Sequence, residues 1–412
     1  MDTTAVPAGA SRRRVVVTGL GVISSIGTGP GAFARSLREG RSGARPIGAF
    51  DTAGFERTNG CEIVDFDPSE WITRLDHRRL GRATQLAVSG ARLAIADAGI
   101  APAELRTRSA VISVGTTSGE TAEVDLATRR QVTGETDGVD PGSAHRARSG
   151  RLSADIAREL ELTRVEAMTV PTACAAGNYA IGYGFDAVAS GEVEVALCGG
   201  VEAMVRTLFV AFYRLDTIAA DVCRPFDRHR QGILTGEGAA ILVLETLDSA
   251  LARGARIYAE VLGYGLSCDA YHPVAPDRDG VATCIARAHA NAGVEPGDVD
   301  LISAHGTGTP TNDVTEVAGI REVFGDHLPP TVSIKSMLGH TMGAAGALAA
   351  AACVLGLDEG FIPPTINHTE TDPDIDIDCV PNRARTASLR VVQNNALAFG
   401  GNNAVVVLGR YG

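Results

Sequence analysis

Residues 170–188 read VPTACAAGNYAIGYGFDAV, and this stretch sets one cysteine between two kinds of sequence. A short strand-like run precedes Cys174, and small and apolar residues follow it. Ile181, Phe185 and Val188 recur at the spacing of one helix face. The stretch therefore predicts a strand, a turn that carries Cys174, and a buried helix.

Residues 329–357, PPTVSIKSMLGHTMGAAGALAAAACVLGL, repeat this plan of strand, polar turn and alanine-rich helix. Short apolar runs alternate with helix-period segments elsewhere, which is typical of the α/β class. The repeated plan predicts an internal duplication whose two helix N-termini meet. We expect a disordered lead at residues 1–12, a first half at 13–256 and a second half at 257–412, joined without a flexible linker into one rigid body.

The composition excludes several classes of protein. Hydrophobic residues make up 45% and charged residues 21% of 412, as in ordinary globular proteins. The net charge of −12 argues against a nucleic-acid or anionic-membrane binder, and no apolar run approaches the roughly 20 residues of a membrane span. The eight cysteines form no CxxC pair and no metal-like spacing, so we expect a cytoplasmic protein without a metal site.

Cys174 stands where the first amides of the predicted helix lack partners within the helix. The helix dipole at that end favours negative charge, so we expect a stabilised thiolate there. The same free amides can hold an oxyanion. A cysteine among alanines is more often a small buried hydrophobic residue, and we assign that role to the other seven cysteines.

Two histidines and a lysine lie on further turns between strands and helices. His305 opens HGTGTPTND, a loop whose hydroxyls and amides can surround a polar ligand. His340 follows Lys335 on the turn before the second alanine-rich helix. A lone histidine is more often structural, but the joint occurrence of these residues with Cys174 predicts a shared active site.

Four motifs read, in chain order, TACAAG, HGTGTPTND, KSMLGHTMGAAGA and FGGNNA. They resemble those of the elongating β-ketoacyl-acyl-carrier-protein synthases. These are condensing enzymes of the thiolase-like superfamily, and the resemblance runs from about residue 13 to the C-terminus. It implies a thiolase-like α/β fold with two pseudo-duplicated halves in αβαβα layers. It also implies an acyltransferase with no permanently bound cofactor, served by the phosphopantetheine arm of an acyl carrier protein.

The resemblance implies a role for each matching residue. Cys174 takes the acyl group while its own amide and that of Phe399 hold the oxyanion. His305 and His340 donate to the thioester oxygen of a malonyl-type extender as carbon dioxide departs, and the carbanion attacks the acyl carbonyl. Supporting roles are implied as well. Lys335, with Glu316 as its partner, sets the electrostatics of the site, and Thr307 and Thr309 bind the phosphopantetheine arm. Ser118 lines the acyl pocket, and Phe399 acts as a gate.

Departures from the family pattern bear on the pathway. Ser118 aligns by eye with a position that is often bulky and aliphatic in fatty-acid synthases, and residues 397–403 read LAFGGNN where the family often reads FGFGGTN. These differences favour polyketide, polyene or specialised fatty-acid synthesis over housekeeping fatty-acid synthesis.

The resemblance also implies partners. Arg74, Arg78 and Arg79, which we place on adjacent helical turns, match the family's docking region for the acidic carrier protein; a solvated arginine face is the alternative. We expect a homodimer, or a heterodimer with a related chain-length subunit. Two other functions remain open: a coenzyme A-dependent thiolase, which normally needs a second cysteine in its C-terminal glycine loop, and a non-catalytic chain-length subunit, which lacks the nucleophile.

Overall fold

One mixed β-sheet runs through both halves of the chain in the computed structural model, which describes residues 12–134 and 141–412. The strands of the described residues are β1 Val15–Ser24, β2 Gly27–Thr28, β3 Arg45–Pro46, β4 Asn59–Cys61, β5 Ala110–Gly115, β6 Val165–Val170, β7 Val195–Glu202, β8 Thr235–Gly236, β9 Gly238–Thr246, β10 Ala259–Cys268, β11 Leu301–Ser303, β12 Thr331–Val332, β13 Phe361–Ile362, β14 Arg385–Thr386, β15 Val391–Leu397 and β16 Asn402–Gly409.

Helices cover the sheet and also lie between its halves. Within the described ranges they are α1 Pro30–Glu39, α2 Arg82–Asp97, α3 Pro102–Leu105, α4 Thr121–Thr133, α5 Pro141–Arg146, α6 Arg151–Leu160, α7 Ala176–Ser190, α8 Arg206–Arg214, α9 Leu247–Ala252, α10 Arg278–Ala292, α11 Pro310–Phe324, α12 Lys335–Leu338 and α13 Ala345–Glu359. Short 3-10 turns are Pro68–Glu70, His77–Arg79, Ala173–Ala175, Pro296–Asp298 and Met342–Ala344.

The strand order repeats in the two halves. The path of the sheet is β12-β11-β15-β16-β10-β1-β9-β7-β5-β6. From the centre outward, β10, β16, β15, β11 and β12 occupy the places that β1, β9, β7, β5 and β6 occupy on the other side, with the same parallel and antiparallel pairings. β1 and β10 pair antiparallel at the join. The predicted internal duplication is confirmed.

The helices form layers around the two halves of the sheet. α2 packs on β1, β9 and β7, and α6 packs on β5 and β6. α7 contacts β5 and β7 of the first half and β16 of the second, while α13 contacts β15 as well as β7 and β9. α10 covers β10 and β16 and packs against α11. The result is the expected αβαβα arrangement, with α7 and α13 in the middle layer.

The position of α13 in the middle layer explains why this helix is so apolar. The expectation that no apolar run approaches the length of a membrane span is wrong: Met342–Glu359 is the one segment in the described part of the chain that is long and apolar enough, and 89% of it is buried inside the fold. Since sheets cover both of its sides, it needs no polar face. Its composition reflects its place in the core.

Several boundaries differ from the sequence-based expectations. The apolar pattern of residues 80–98 predicts one helix, and the observed helix α2 starts at Arg82, after a separate 3-10 turn. Residues 119–150 are charged and show no clear periodicity in the sequence, yet they contain α4 and α5; residues 135–140 fall outside the described chain. The expected lead at 1–12 also falls outside it, except for Arg12, which pairs with Asp186 at 2.9 Å.

Candidate active site

Cys174 lies on the 3-10 turn that joins β6 to α7. Ala173, the residue before it, has a φ of 49°, a left-handed conformation that is uncommon without glycine. The thiol is 4% exposed, and the backbone amides of Cys174 and Phe399 donate toward its sulfur. The turn therefore presents one sulfur to two backbone donors.

The expected thiolate stabilisation at this helix end is wrong for the resting site. Burial raises the pKa of Cys174 to about 12, although the nearby Lys335 charge and the two amides act in the opposite direction. Desolvation of a charged sulfur outweighs these contributions in an enclosed site. Cys174 therefore rests as a neutral thiol.

His340 lies just before the corresponding turn of the second half. Its Nδ1 accepts a hydrogen bond from the Met342 amide at 3.1 Å, so a neutral ring carries its proton on Nε2. Burial, with a further contribution from Lys335, holds the pKa of His340 well below its usual value. The ring is therefore a neutral hydrogen-bond donor.

His305 faces His340 across the site, with the ring centroids 5.3 Å apart. Lys335 Nζ lies 3.4 Å from His305 Nδ1 and 2.5 Å from the His305 carbonyl oxygen. Burial is the main cause that keeps the pKa of His305 well below its usual value, followed by the charge of Lys335. Both imidazoles are thus neutral.

Lys335 is the only lysine in the chain, and it is 5% exposed. Burial lowers the pKa of Lys335, while Glu316 raises it through its charge. The expected electrostatic partnership of Glu316 with Lys335 acts without a direct ion pair between the two side chains. Its carboxylate accepts hydrogen bonds from the amides of His305 and Gly306, each at 2.7 Å, and from Asn395 at 3.2 Å.

Asp313, which the sequence analysis did not single out, supports the other end of the same loop. Its carboxylate is fully buried and accepts from the Gly308 amide at 3.1 Å and from the Phe226 amide at 2.9 Å. Asp313 and Glu316 lie three residues apart on α11, so they share one helix face. A signal was available, since two acids follow a threonine N-cap directly after the glycine loop.

A cavity of about 310 Å³ brings most of the predicted residues together. Thr307 and Thr309 line it, with their hydroxyls 2.9 Å apart. Cys174 is the only cysteine among the lining residues of the described chain. The predicted site residues on the wall are Cys174, His305, Thr307, Thr309, His340 and Phe399.

Phe399 lies on the loop between β15 and β16 and is 39% exposed. Its ring packs against Phe212, with centroids 5.5 Å apart, and Phe212 in turn lies 6.3 Å from the His340 ring. Phe399 thus lies at the cavity wall on a glycine-rich loop, and its gating role stays a prediction.

Ser118 does not line this cavity. Its hydroxyl donates to the buried carboxylate of Glu202, and its amide donates to the same carboxylate at 3.0 Å. Glu202 also accepts from the Gly343 amide at 3.0 Å. The side chain thus ties the loop after β5 to the turn Met342–Ala344, and its expected place in the acyl pocket stays a prediction.

The three arginines also lie away from the cavity wall, and they are not on adjacent helical turns: Arg78 and Arg79 share one 3-10 turn, and Arg74 lies on a bend before it. Arg74 pairs with Glu161 at 3.1 Å, and Arg78 pairs with Asp76 at 3.0 Å. Arg79 is exposed on the 3-10 turn. Two of the three charges therefore have local acidic partners.

Comparison with known proteins identifies the family. Residues 12–250 match the N-terminal domain of beta-ketoacyl synthases, and residues 258–369 match their C-terminal domain. The chain belongs to the beta-ketoacyl synthase family. It is 37% identical to 3-oxoacyl-acyl-carrier-protein synthase 2 of Synechocystis sp., over 97% of this chain and 99% of that protein. It is 38% identical to nodulation protein E of Rhizobium sp., over 96% and 98%.

Solved structures of beta-ketoacyl synthases agree with the fold. The ishigamide ketosynthase/chain length factor superposes with a TM-score of 0.96 at 59% identity, covering 98% of this chain and 100% of that one. A type II polyketide ketosynthase in complex with its acyl-carrier protein, bound to the hexaketide, gives 0.88 at 28% identity, over 98% and 100%. The enzyme is thus a condensing enzyme of the acyltransferase class, not a thiolase.

Proposed function

We propose that this condensing enzyme extends an acyl chain by decarboxylative Claisen condensation, as the catalytic subunit of a polyketide or specialised fatty-acid synthase. The observation that carries the proposal is the convergence of Cys174, His305 and His340 on one cavity. A non-catalytic subunit would not need a thiol aligned with two backbone donors and two neutral imidazoles.

In the first half-reaction, the Cys174 sulfur attacks the carbonyl carbon of a carrier-bound thioester. The bond from that carbon to the phosphopantetheine sulfur breaks, and the thiol proton passes to the departing sulfur. The amides of Cys174 and Phe399 donate to the carbonyl oxygen as it gains charge. Such donors contribute about 2.7–4 kcal/mol each to the transition state.

In the second half-reaction, a malonyl-type thioester loses carbon dioxide, and the electron pair of the broken carbon–carbon bond forms an enolate. The Nε2–H groups of His305 and His340 donate to the enolate oxygen. The enolate carbon then bonds to the acyl carbon, and the bond to the Cys174 sulfur breaks. That sulfur takes a proton from solvent, which restores the thiol.

The substrates come on the phosphopantetheine arm of an acyl carrier protein, and we propose no permanently bound cofactor. We propose that Thr307 and Thr309 hold the arm, because both residues line the same cavity as the two histidines. The similarity to a ketosynthase/chain length factor and to a carrier-protein complex supports a heterodimer with a chain-length subunit, with a homodimer as the alternative. The eight unpaired cysteines support a cytoplasmic location.

For carrier docking we retain Arg74, Arg78 and Arg79 as the candidate patch. Reversing Arg78 and Arg79 to Glu should raise the apparent binding constant for acyl carrier protein and leave acylation by small thioesters unchanged. Arg79 should dominate, because Asp76 already neutralises part of the Arg78 charge. An equal loss with both donors would show that the patch is structural.

Intact mass spectrometry after incubation with acyl carrier proteins tests the proposed function. We expect a mass increase of one acyl group that is absent from the Cys174→Ala variant. No increase with any acyl donor would indicate the non-catalytic subunit.

Acylation rates with short saturated, long saturated and polyene chains then test the pathway. A clear preference for short saturated chains would contradict a polyketide or specialised fatty-acid pathway.

A further inference from the structure

A row of buried polar side chains connects the outer helix layer of the second half to the active site. It starts at His289 on α10, passes through Gln393 and Asn395 on β15, and ends at Glu316 on α11. The exposed fractions of these four side chains are 4%, 0%, 2% and 0%. Buried polar groups in such a row must satisfy one another, because water does not reach them.

The links are short and consistent in geometry. His289 Nε2 lies 2.6 Å from Gln393 Oε1, Gln393 Nε2 donates to Asn395 Oδ1 at 2.7 Å, and Asn395 Nδ2 donates to Glu316 Oε1 at 3.2 Å. Alternation along a strand places residues 393 and 395 on the same face of β15. That face is the one toward α10 and α11.

The position of the proton on His289 determines the direction in which hydrogen bonds are donated along the row. Its Nδ1 is buried and has no hydrogen-bond partner among the described residues, so the proton of the neutral ring belongs on Nε2. Burial lowers the pKa of His289, which keeps the ring neutral. With Nε2 donating to Gln393, every link of the row donates toward the carboxylate of Glu316.

Glu316 connects the row of polar side chains to the loop that carries His305. Its two oxygens accept the amides of His305 and Gly306, each at 2.7 Å. The His305 carbonyl oxygen in turn contacts Lys335 Nζ. The rotamer of Glu316 therefore fixes the peptide groups on which the His305 ring is mounted.

We propose that His289 is a positioning residue for the decarboxylation half-reaction: acting through Gln393 and Asn395, it holds Glu316 against the His305 and Gly306 amides. The inference rests on the proposed role of His305. Acyl transfer to the thiol depends on the Cys174 and Phe399 amides, which the row does not touch, so His289 serves one half-reaction and not the other.

The first test compares three variants. His289→Leu removes the donor, His289→Gln supplies an amide donor in its place, and Cys284→Ala is the control, a buried α10 side chain outside the row. The Leu variant should lower decarboxylation of malonyl carrier protein about tenfold, the effect of one lost buried hydrogen bond, and leave acyl uptake by Cys174 unchanged. The Gln variant should recover most of the rate, and the control should lose neither activity.

The second test needs no turnover. Since Lys335 is the only lysine, protein labelled with [ε-¹³C]lysine gives one NMR resonance whose pH titration reports the charge state of that side chain. His289→Leu should move the titration midpoint to lower pH, because a less supported Glu316 carboxylate stabilises the ammonium less. His289→Gln should restore it.

Two results overturn the proposal: equal loss of both half-reactions in His289→Leu, or a decarboxylation rate and lysine titration that match the wild type. If wild-type enzyme does not decarboxylate malonyl carrier protein at all, the proposed function fails. The lysine titration still decides whether His289 acts on the site.

Discussion

The two helix-head turns share a backbone and differ in their chemistry. The turn Ala173–Ala175 precedes α7, and the turn Met342–Ala344 precedes α13, each helix being 15 residues long. Each turn starts with a non-glycine residue at positive φ, 49° at Ala173 and 46° at Met342. Duplication thus produced two equivalent places for a reactive group.

The second residue of each turn shows why only one place holds the nucleophile. It is Cys174 in the first turn and Gly343 in the second. A Cβ at Gly343 would lie 2.4 Å from the Thr116 Cα, on the loop after β5 of the other half. The second turn has no room for a side chain there, and its reactive group, His340, stands ahead of the turn. The asymmetry lets the two halves contribute different chemistry to one cavity.

Among changes to the two turns, removal of the Cys174 thiol should have the largest effect, and that effect is on acyl uptake. Cys174→Ala should lower acyl uptake by more than about a thousandfold, because no other cavity residue supplies a thiol. Malonyl decarboxylation should remain measurable, since His305 and His340 are untouched. Intact mass and carbon dioxide release check the two halves separately, with the core variant Cys198→Ala as the control. Loss of both activities in Cys174→Ala alone would argue against separate roles for the turns.

Adding a methyl group to the second turn should have the next largest effect. Gly343→Ala should lower the free energy of unfolding by about 3 kcal/mol, because the new Cβ meets backbone that cannot move aside. Urea unfolding measures this. Gly150→Ala is the matched control: its φ is −59° and a Cβ there meets no atom within 4 Å. Equal stability of Gly343→Ala and wild type would contradict the steric explanation.

The smallest expected effect concerns the resting state of the first turn. Since burial raises the pKa of Cys174 to about 12, its alkylation by iodoacetamide should rise about tenfold per pH unit from pH 6 to pH 9 without levelling off. Mass spectrometry of the labelled peptide gives the rate. A plateau near neutral pH would mean that the helix-head amides hold a thiolate at rest, as the sequence alone suggested.

The sequence predicted the elements with strong periodicity and the residues with clear motifs. The helix after Cys174 and the strands around it follow from apolar spacing, and the matching motifs placed the thiol and both imidazoles correctly on the cavity wall. The repeated order of elements also predicted the duplication. These features are local, so a single sequence can show them.

What the sequence did not predict depends on contacts between distant residues. The sequence did not show that Glu316, the expected electrostatic partner of Lys335, accepts the amides of His305 and Gly306, or that Ser118 donates to Glu202. His289 and Gln393 belong to no motif, and α10 and β15 each contain other polar residues. Their importance appears only when the fold sets α10 beside β15.

The most direct test of the claim that both halves build one site is a chase of the acyl-enzyme. Wild type, His305→Ala and His340→Ala are first acylated on Cys174, and malonyl carrier protein is then added while intact mass is followed. We predict that wild type loses the acyl mass and forms a β-ketoacyl carrier protein, while both histidine variants keep it at least about a hundredfold longer. Loss of the acyl group at wild-type rate from either variant would contradict a shared site.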